Sequence, residues 1–230
     1  MARILLIETS TAQLSTALAE DGVVTAFRIC GEPRMQAALT APYVKEVLDE
    51  KGLTVKDLEA VCVGRGPGSY TGLRVGVSTA KGLCFGAGIP LLSADTLDVL
   101  VQEAHRLGVV PDGCHAIVPM VDARRMEVYA ALYDRALRPI REVQADVVDA
   151  DTYREYLDAH PVYFFGNGAQ KCMETIDHPN AHYIDGIEPL ARWMQPLAER
   201  RMLNEQFEDV AYFEPFYLKD FVAKMPKKLI

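Results

Sequence analysis

"GRGPGSYTGLRVGVSTAKGLCFGAGIP", residues 64–90, decides how this chain is read. Glycine recurs at 64, 66, 68, 72, 76, 82, 86 and 88, which gives the stretch the look of a phosphate-binding loop opening a helix. A Walker loop needs G-x-x-x-x-G-K-[ST], so that backbone amides surround phosphates and a lysine neutralises them. Here Lys81 comes five residues after Gly76, and Gly82 stands next to it. A dinucleotide fingerprint needs G-x-G-x-x-G; Gly64 and Gly66 begin it, but Ser69 takes the third glycine's place. Neither motif is complete. What remains is a tight turn at Gly66-Pro67-Gly68, Ser69 as a helix cap, and the weak attraction of any helix N-terminus for anions.

The helix behind that turn carries more information. Gly72, Gly76 and Ala80 are spaced by four and share one stripe. A glycine inside a helix costs about 1 kcal/mol relative to alanine, so two on one stripe call for an offsetting close approach. The approaching backbone belongs either to the domain's own sheet or to a helix of a second protein. Periodicity alone leaves both readings open. Residues 36–50, QAALTAPYVKEVLDE, form the natural companion in the second case. Their apolar stripe is Ala37, Ala41, Val44 and Leu48, and Pro42 is expected to bend or restart the first turn.

Outward from this stretch, the order of elements repeats. Ile4–Ile7, STALAE (15–20) and VVTAFRI (23–29), joined by the Asp21-Gly22 turn, read as a three-stranded meander. The helix at 36–50, the strand AVCVG (60–64), the glycine-rich helix and the strand PLLS (90–93) follow. Ser93 or Asp95 then caps a helix with Leu97, Leu100, Val101 and Ala104 on one face. GVVPDGCH, from about residue 108, reads as a linker. After it come three more strands (116–122, 126–134 and 137–144), a helix (150–159), the strand VYFFG (162–166) and two further helices. The sequence thus predicts a duplicated α/β architecture with a cleft between two lobes, 1–107 and 108–230.

Composition bounds the function. A net charge of −8 opposes a protein that grips nucleic acid alone, although it leaves room for a subunit of an RNA-acting assembly. Cys30, Cys62, Cys84, Cys114 and Cys172 form no CxxC pair and read as buried, reduced thiols. The apolar run after Arg3 is too short for a signal peptide, and nothing approaches a membrane span of ~18 residues. A soluble cytoplasmic protein is expected.

Four segments together carry a family resemblance: ILLIETSTAQLSTAL (4–18), residues 64–92, PMVDARRMEVYAALYD (119–134) and EPFYLK (214–219). They closely resemble the TsaB family, also known as YeaZ, of bacterial tRNA threonylcarbamoyladenosine biosynthesis proteins. The resemblance implies the ASKHA fold, the two-lobed architecture of actin, Hsp70 and sugar kinases. It further implies a non-catalytic partner of the threonylcarbamoyltransferase TsaD. That partner pairs through N-lobe helices, assembles with the ATPase TsaE, meets tRNA within the complex, and forms a homodimer when alone. TsaD-like sequences carry a metal-binding HxxxH whose matching positions here are Thr96 and Leu100, which cannot hold a metal.

On this reading the partner surface comprises Tyr70, Gly72, Leu73, Arg74, Gly76 and Ala80, with Leu39, Tyr43 and Val47 from the companion helix. Glu8 stands where actin-like ATPases carry an aspartate, and with Thr9, Ser10, Asp122 and Arg124 it is a candidate contact for nucleotide or tRNA. No catalytic residue, metal site or cofactor is assigned, and ATP binding is left open. Gln36 stands where many relatives have a histidine. His178 and His182 are separated by Pro179, lack a third ligand and read as a solvated loop. His105, His115 and His160 are scattered along the chain and read as ordinary histidines. The lysine-rich tail (Lys219, Lys224, Lys227, Lys228) reads as a frayed terminus or as a segment folded back on the N-terminal lobe. A stand-alone ASKHA ATPase or phosphotransferase is the alternative, and a metal-dependent peptidase lacks its ligands.

Overall fold

A computed structural model describes residues 2–111 and 114–219. Strands β1 (Arg3–Glu8), β2 (Leu14–Glu20), β3 (Val23–Cys30), β4 (Ala60–Gly66) and β5 (Leu91–Asp95) form one sheet in the order β3-β2-β1-β4-β5. The first three pair antiparallel, while β1, β4 and β5 run parallel. Strands β6 (Ala116–Asp122), β7 (Glu127–Tyr133), β8 (Pro139–Val147), β9 (Val162–Phe165) and β10 (Ala181–Ile184) repeat this topology as β8-β7-β6-β9-β10. The duplicated ASKHA arrangement is therefore present in strand order, direction and pairing.

Layering explains the sequence pattern. Strand β1 reads as a continuous apolar run because both faces of the sheet are covered. On one face Leu5, Ile7, Val61 and Val63 pack under helices α1 (Gln36–Asp49) and α2 (Tyr70–Ala87). On the other, Ile4, Leu6, Cys62 and Leu92 meet Val99 of helix α3 (Thr96–Arg106). Leu97, Leu100, Val101 and Ala104 of that same helix pack with Ile117, Val121 and Phe165 of the second sheet. Helix α3 thus fills the space between the lobes.

Several expectations are corrected. The buried stripe of α1 is Thr40, Val44, Val47 and Leu48, whereas Ala37 and Ala41 are exposed. Asp95 precedes α3 without a side-chain cap, because its carboxylate is taken by Arg65. In the second lobe helix α4 is confined to Arg154–Ala159, and the segment after β9 holds short 3-10 turns rather than a full helix. His182 lies in strand β10, where a loop was expected.

The chain after residue 190 does not stay with the second lobe. A 3-10 turn (Ala191–Met194) and helix α5 (Gln195–Leu203) pack on β1, β2 and β5, with Ala191, Met194, Leu197 and Ala198 buried there. A strap then runs across the first lobe. The Glu208 N–H donates to Leu91 O at 2.8 Å, Lys81 Nζ donates to Phe213 O at 2.9 Å, and the Phe216 N–H donates to Arg65 O at 2.7 Å. Tyr217 lies 4.9 Å from Tyr70, ring to ring, and Lys219 pairs with Glu127 of β7. The strap therefore touches both lobes. The remaining tail lysines, Lys224, Lys227 and Lys228, lie outside the described residues.

Val210 and Phe213 of the strap pack against the core beneath α1 and α2. Phe213→Ala is expected to lower unfolding free energy by about 1–2 kcal/mol, in proportion to the apolar area it uncovers. Urea unfolding of the two chains measures this directly.

Candidate functional site

The turn between β1 and β2 is where the glycine-rich segment finds its partner. Glu8, Thr9, Ser10 and Thr11 are all buried. The Thr9 hydroxyl donates to Gly72 O at 2.8 Å, and the Ser69 N–H donates to Ser10 O at 2.6 Å. Ser69 Oγ accepts the Gly72 N–H at 3.3 Å, the expected cap. Gln36 completes the enclosure by donating from Nε2 to Thr11 O at 2.9 Å.

Each glycine on the inner side of this segment is opposed by the chain's own atoms. A Cβ at Gly72 would lie 2.1 Å from Thr9 O, and one at Gly76 would lie 2.3 Å from Thr9 Oγ1. At Gly64 it would lie 2.1 Å from Glu8 Oε2, at Gly68 2.4 Å from Ser10 O, and at Gly66 2.9 Å from Phe216 O of the strap. The space that a phosphate loop keeps for its ligand is here occupied by the β1–β2 turn and the strap. The amides of Ser69 and Gly72 already have acceptors.

Glu8 sits at the end of β1, beside Gly64 of β4, and is fully buried. Its Oε1 accepts the Ser10 N–H at 2.5 Å, while Oε2 has no hydrogen-bond partner among the described residues. Burial raises its pKa from 4.5 to about 7, against the opposing pull of hydrogen bonds from Ser10 and Thr9. This acid holds its proton at mildly acidic pH, where an ordinary carboxylate is ionised.

Asp122 occupies the equivalent place in the second lobe, at the end of β6. It is a turn clamp. It accepts the Arg124 N–H at 2.8 Å and pairs with Lys171, whose Nζ also donates to Arg125 O at 2.7 Å and Glu127 O at 2.6 Å. Arg124 and Arg125 take left-handed backbone conformations at φ 68° and 52° in this turn, and Arg124 is exposed.

Helix α2 has a second face. Of the residues assigned to the partner surface, Gly72, Leu73, Gly76 and Ala80 point into their own lobe, as does Val47 of α1. The physical reason is the Thr9 contact, which draws the 72-76-80 stripe inward. Leu39 and Tyr43 are half-buried, Tyr70 stacks on Tyr217, and the Arg74 guanidinium lies 5.3 Å from the Tyr70 ring centre. Outward-facing are Arg74, Ser78, Gly82, Phe85 and Gly86, beside the exposed Ala37, Ala38, Ala41 and Pro42 of α1. Among the described residues, a Cβ on Gly82 or Gly86 would meet nothing within 4 Å, and Phe85 is 85% exposed. The 78-82-86 spacing was visible in the sequence as a second small-residue stripe, overshadowed by the first.

Fold and site together define a duplicated, two-lobed ASKHA protein whose glycine turn is packed by its own chain and whose longest helix presents a face that no described residue covers. A family model for tRNA N6-adenosine threonylcarbamoyltransferase, TsaD, matches residues 34–227. The tRNA threonylcarbamoyladenosine biosynthesis protein TsaB of Escherichia coli is 34% identical, over 98% of this chain and 99% of its own length. TsaB of Bacillus subtilis is 33% identical over 76% of this chain and 75% of its own. The solved structure of YeaZ from Pseudomonas aeruginosa superposes with a TM-score of 0.80 at 26% identity, covering 95% of this chain and all of that one. The chain belongs to the TsaB (YeaZ) family.

Two substitutions test the geometry. Gly72→Ala forces a methyl group onto Thr9 O and is expected to destabilise by about 1–3 kcal/mol in chemical denaturation, although alanine is the better helix former. The raised pKa of Glu8 means that the folded state holds a proton the unfolded chain has released. Stability is therefore expected to fall as pH rises from about 4.5 to about 7, and to stay lower above that. Glu103, also pushed up to about 7 by burial, adds a slope of the same sign. Glu8→Gln should flatten the curve by about 3 kcal/mol across this window, read as the difference between the two chains' unfolding free energies.

Proposed function

We propose that this chain is a non-catalytic subunit of tRNA threonylcarbamoyladenosine synthesis. It docks a TsaD-like enzyme, and acts together with a TsaE-like ATPase, through the outward faces of α1 and α2. The observation that carries the reading is the pair Gly82 and Gly86. Each costs helix stability of about 1 kcal/mol relative to alanine, and among the described residues no atom lies near enough to require them. A second helix lying close against α2 supplies the requirement. Phe85, between them in sequence and exposed, gives such a contact an apolar anchor. In the partner's absence the same face serves for self-association.

The site supports a non-catalytic role by its chemistry. Thr96 and Leu100, at the positions where TsaD-like chains carry metal-binding histidines, are fully buried, and Leu100 packs between α3 and the second sheet. Glu8 is enclosed rather than presented to a ligand.

The test is reconstitution with the cognate TsaD-like and TsaE-like proteins, using ATP, threonylcarbamoyl-adenylate and an unmodified ANN-decoding tRNA. Modified adenosine is measured by mass spectrometry. Product is expected only when this chain is added. Gly82→Leu and Gly86→Leu enter open space and favour the helix, so the isolated chain's Tm should hold or rise while complex and product are lost. Full product without the chain, or an intact complex with both variants, overturns the reading.

A further inference from the structure

The strap carries an aromatic ring that its own packing does not use. Residues 209–213 form a fixed turn. Asp209 Oδ1 accepts the Ala211 N–H at 2.8 Å and the Tyr212 N–H at 3.1 Å, and Asp209 O accepts the Phe213 N–H at 2.8 Å. Val210 and Phe213 anchor this turn in the core beneath α1 and α2. Lys81 of α2 ties it from the side, its Nζ donating to Ala211 O at 3.1 Å and to Phe213 O at 2.9 Å. Between these anchors Tyr212 is held outward, 84% exposed. A ring on a loose segment needs no account, but this one stands on a turn fastened at both sides.

Phe85 of α2, at 85%, has comparable exposure, and no other Phe, Tyr or Trp among the described residues approaches it. On a helix surface, residues three and four apart are neighbours, so Phe85 stands beside both Lys81 and Gly82. The lysine that holds the strap's turn and the phenylalanine therefore share one ridge of α2. That ridge runs next to the Gly82–Gly86 stripe, on the side of the helix along which the strap lies. Helix α2 adds no carboxylate to this surface.

We infer that Tyr212 is a second aromatic anchor of the docking face, so that the strap and α2 together grip one helix of the TsaD-like enzyme. The inference rests on the docking function proposed above. A helix laid along Gly82 and Gly86, about 10 Å across with its side chains, reaches past Phe85 to the strap. Its side toward the two rings is apolar, because exposed aromatic faces gain most from groups that exclude water. The turn is already fixed, so binding has little to order there beyond the tyrosine's own torsions. The TsaD family match takes in α1, α2 and this turn, so a TsaD-like enzyme has counterparts of these elements. Its counterpart of α2 is the occupant.

The experiment measures binding of the full chain to the cognate TsaD-like protein by titration calorimetry, and self-association of the lone chain by sedimentation equilibrium. Tyr212→Ala removes a solvated ring, so its melt should match the parent's while the Kd for the TsaD-like protein rises about tenfold. Tyr212→Phe keeps the ring and should bind within about twofold of the parent. Tyr212→Asp, which brings a charge to an apolar contact, should bind more weakly than Tyr212→Ala. Phe85→Ala and Gly82→Leu report separately on the helix. Normal affinity in Tyr212→Ala and Tyr212→Asp, with both helix variants impaired, overturns the strap's part and leaves docking through α2 standing. Impaired Tyr212 variants beside normal helix variants uphold Tyr212 as an anchor and count against docking through α2. If Tyr212→Ala weakens self-association and leaves the Kd for the TsaD-like protein unchanged, the occupant is a second copy and the inference is overturned. A lack of any binding between the two proteins overturns both readings.

Discussion

The contact between Thr9 and the inner glycines of α2 is the constraint on which the rest of the first lobe depends. Helices usually pack with side chains between them and their neighbours, at interaxial distances of 8–10 Å. Here the backbone oxygen of Thr9 stands where a Cβ of residue 72 would be, and its hydroxyl donates to Gly72 O. That proximity fixes the roll of α2 about its own axis. Once the 72-76-80 stripe is turned inward, Val77 and Cys84 enter the core with it, and residues 78, 82, 85 and 86 have to face out. One close approach therefore decides both what the lobe buries and what it shows.

The same contact explains why a segment resembling a phosphate loop is closed. In a ligand-binding loop, glycines keep side chains away from backbone amides so that phosphate oxygens can reach them. In this chain the cleared space is refilled from within, by Glu8 at Gly64, Ser10 at Gly68 and the strap's Phe216 at Gly66. The second lobe shows a weaker echo, since a Cβ at Gly168 would lie 2.9 Å from the Val121 carbonyl carbon, at the end of β6. Duplication has preserved close packing at both strand ends. Helix α3, buried against both sheets, and the strap, bonded to Arg65 on one side and Glu127 on the other, hold the two lobes in register.

Much of this was legible in the sequence, for physical reasons that differ by element. β1 and β4 are continuous apolar runs that only a doubly covered sheet accommodates, and Asp21-Gly22 marks its hairpin without ambiguity. The glycine spacing announced a close approach, but periodicity carries no information about which chain approaches. The answer needed Thr9, distant in sequence from Gly72, and that pairing leaves no local signal. β10 was missed because its four residues, AHYI, are too short and mixed to show alternation. The return of α5 to the first lobe was similarly invisible, since its apolar residues fit any sheet, whereas the fold-back of the EPFYLK segment onto that lobe was one of the two readings of the tail. His115 and His160 were separate features in the chain and stack only because β6 pairs in parallel with β9.

The outward stripe of α2 then poses an energetic question that the isolated chain does not answer. Gly72 and Gly76 cost helix stability and return it through Thr9. Gly82 and Gly86 cost about as much and return nothing among the described residues, because no atom of these lies near them. Alanine at both positions would fit the same backbone and make the lone protein more stable by about 1–2 kcal/mol. A surface with no partner gains nothing from omitting those methyl groups. A surface laid directly against another helix does, because each missing methyl lets the two backbones come nearer and increases dispersion contact along the whole line. The exposed Phe85 beside them points the same way, since an isolated helix has no use for a solvated ring at that place. On the docking function proposed above, the inner and outer stripes are the same device used twice on one helix, first to close the lobe on itself and then to offer it to a second body.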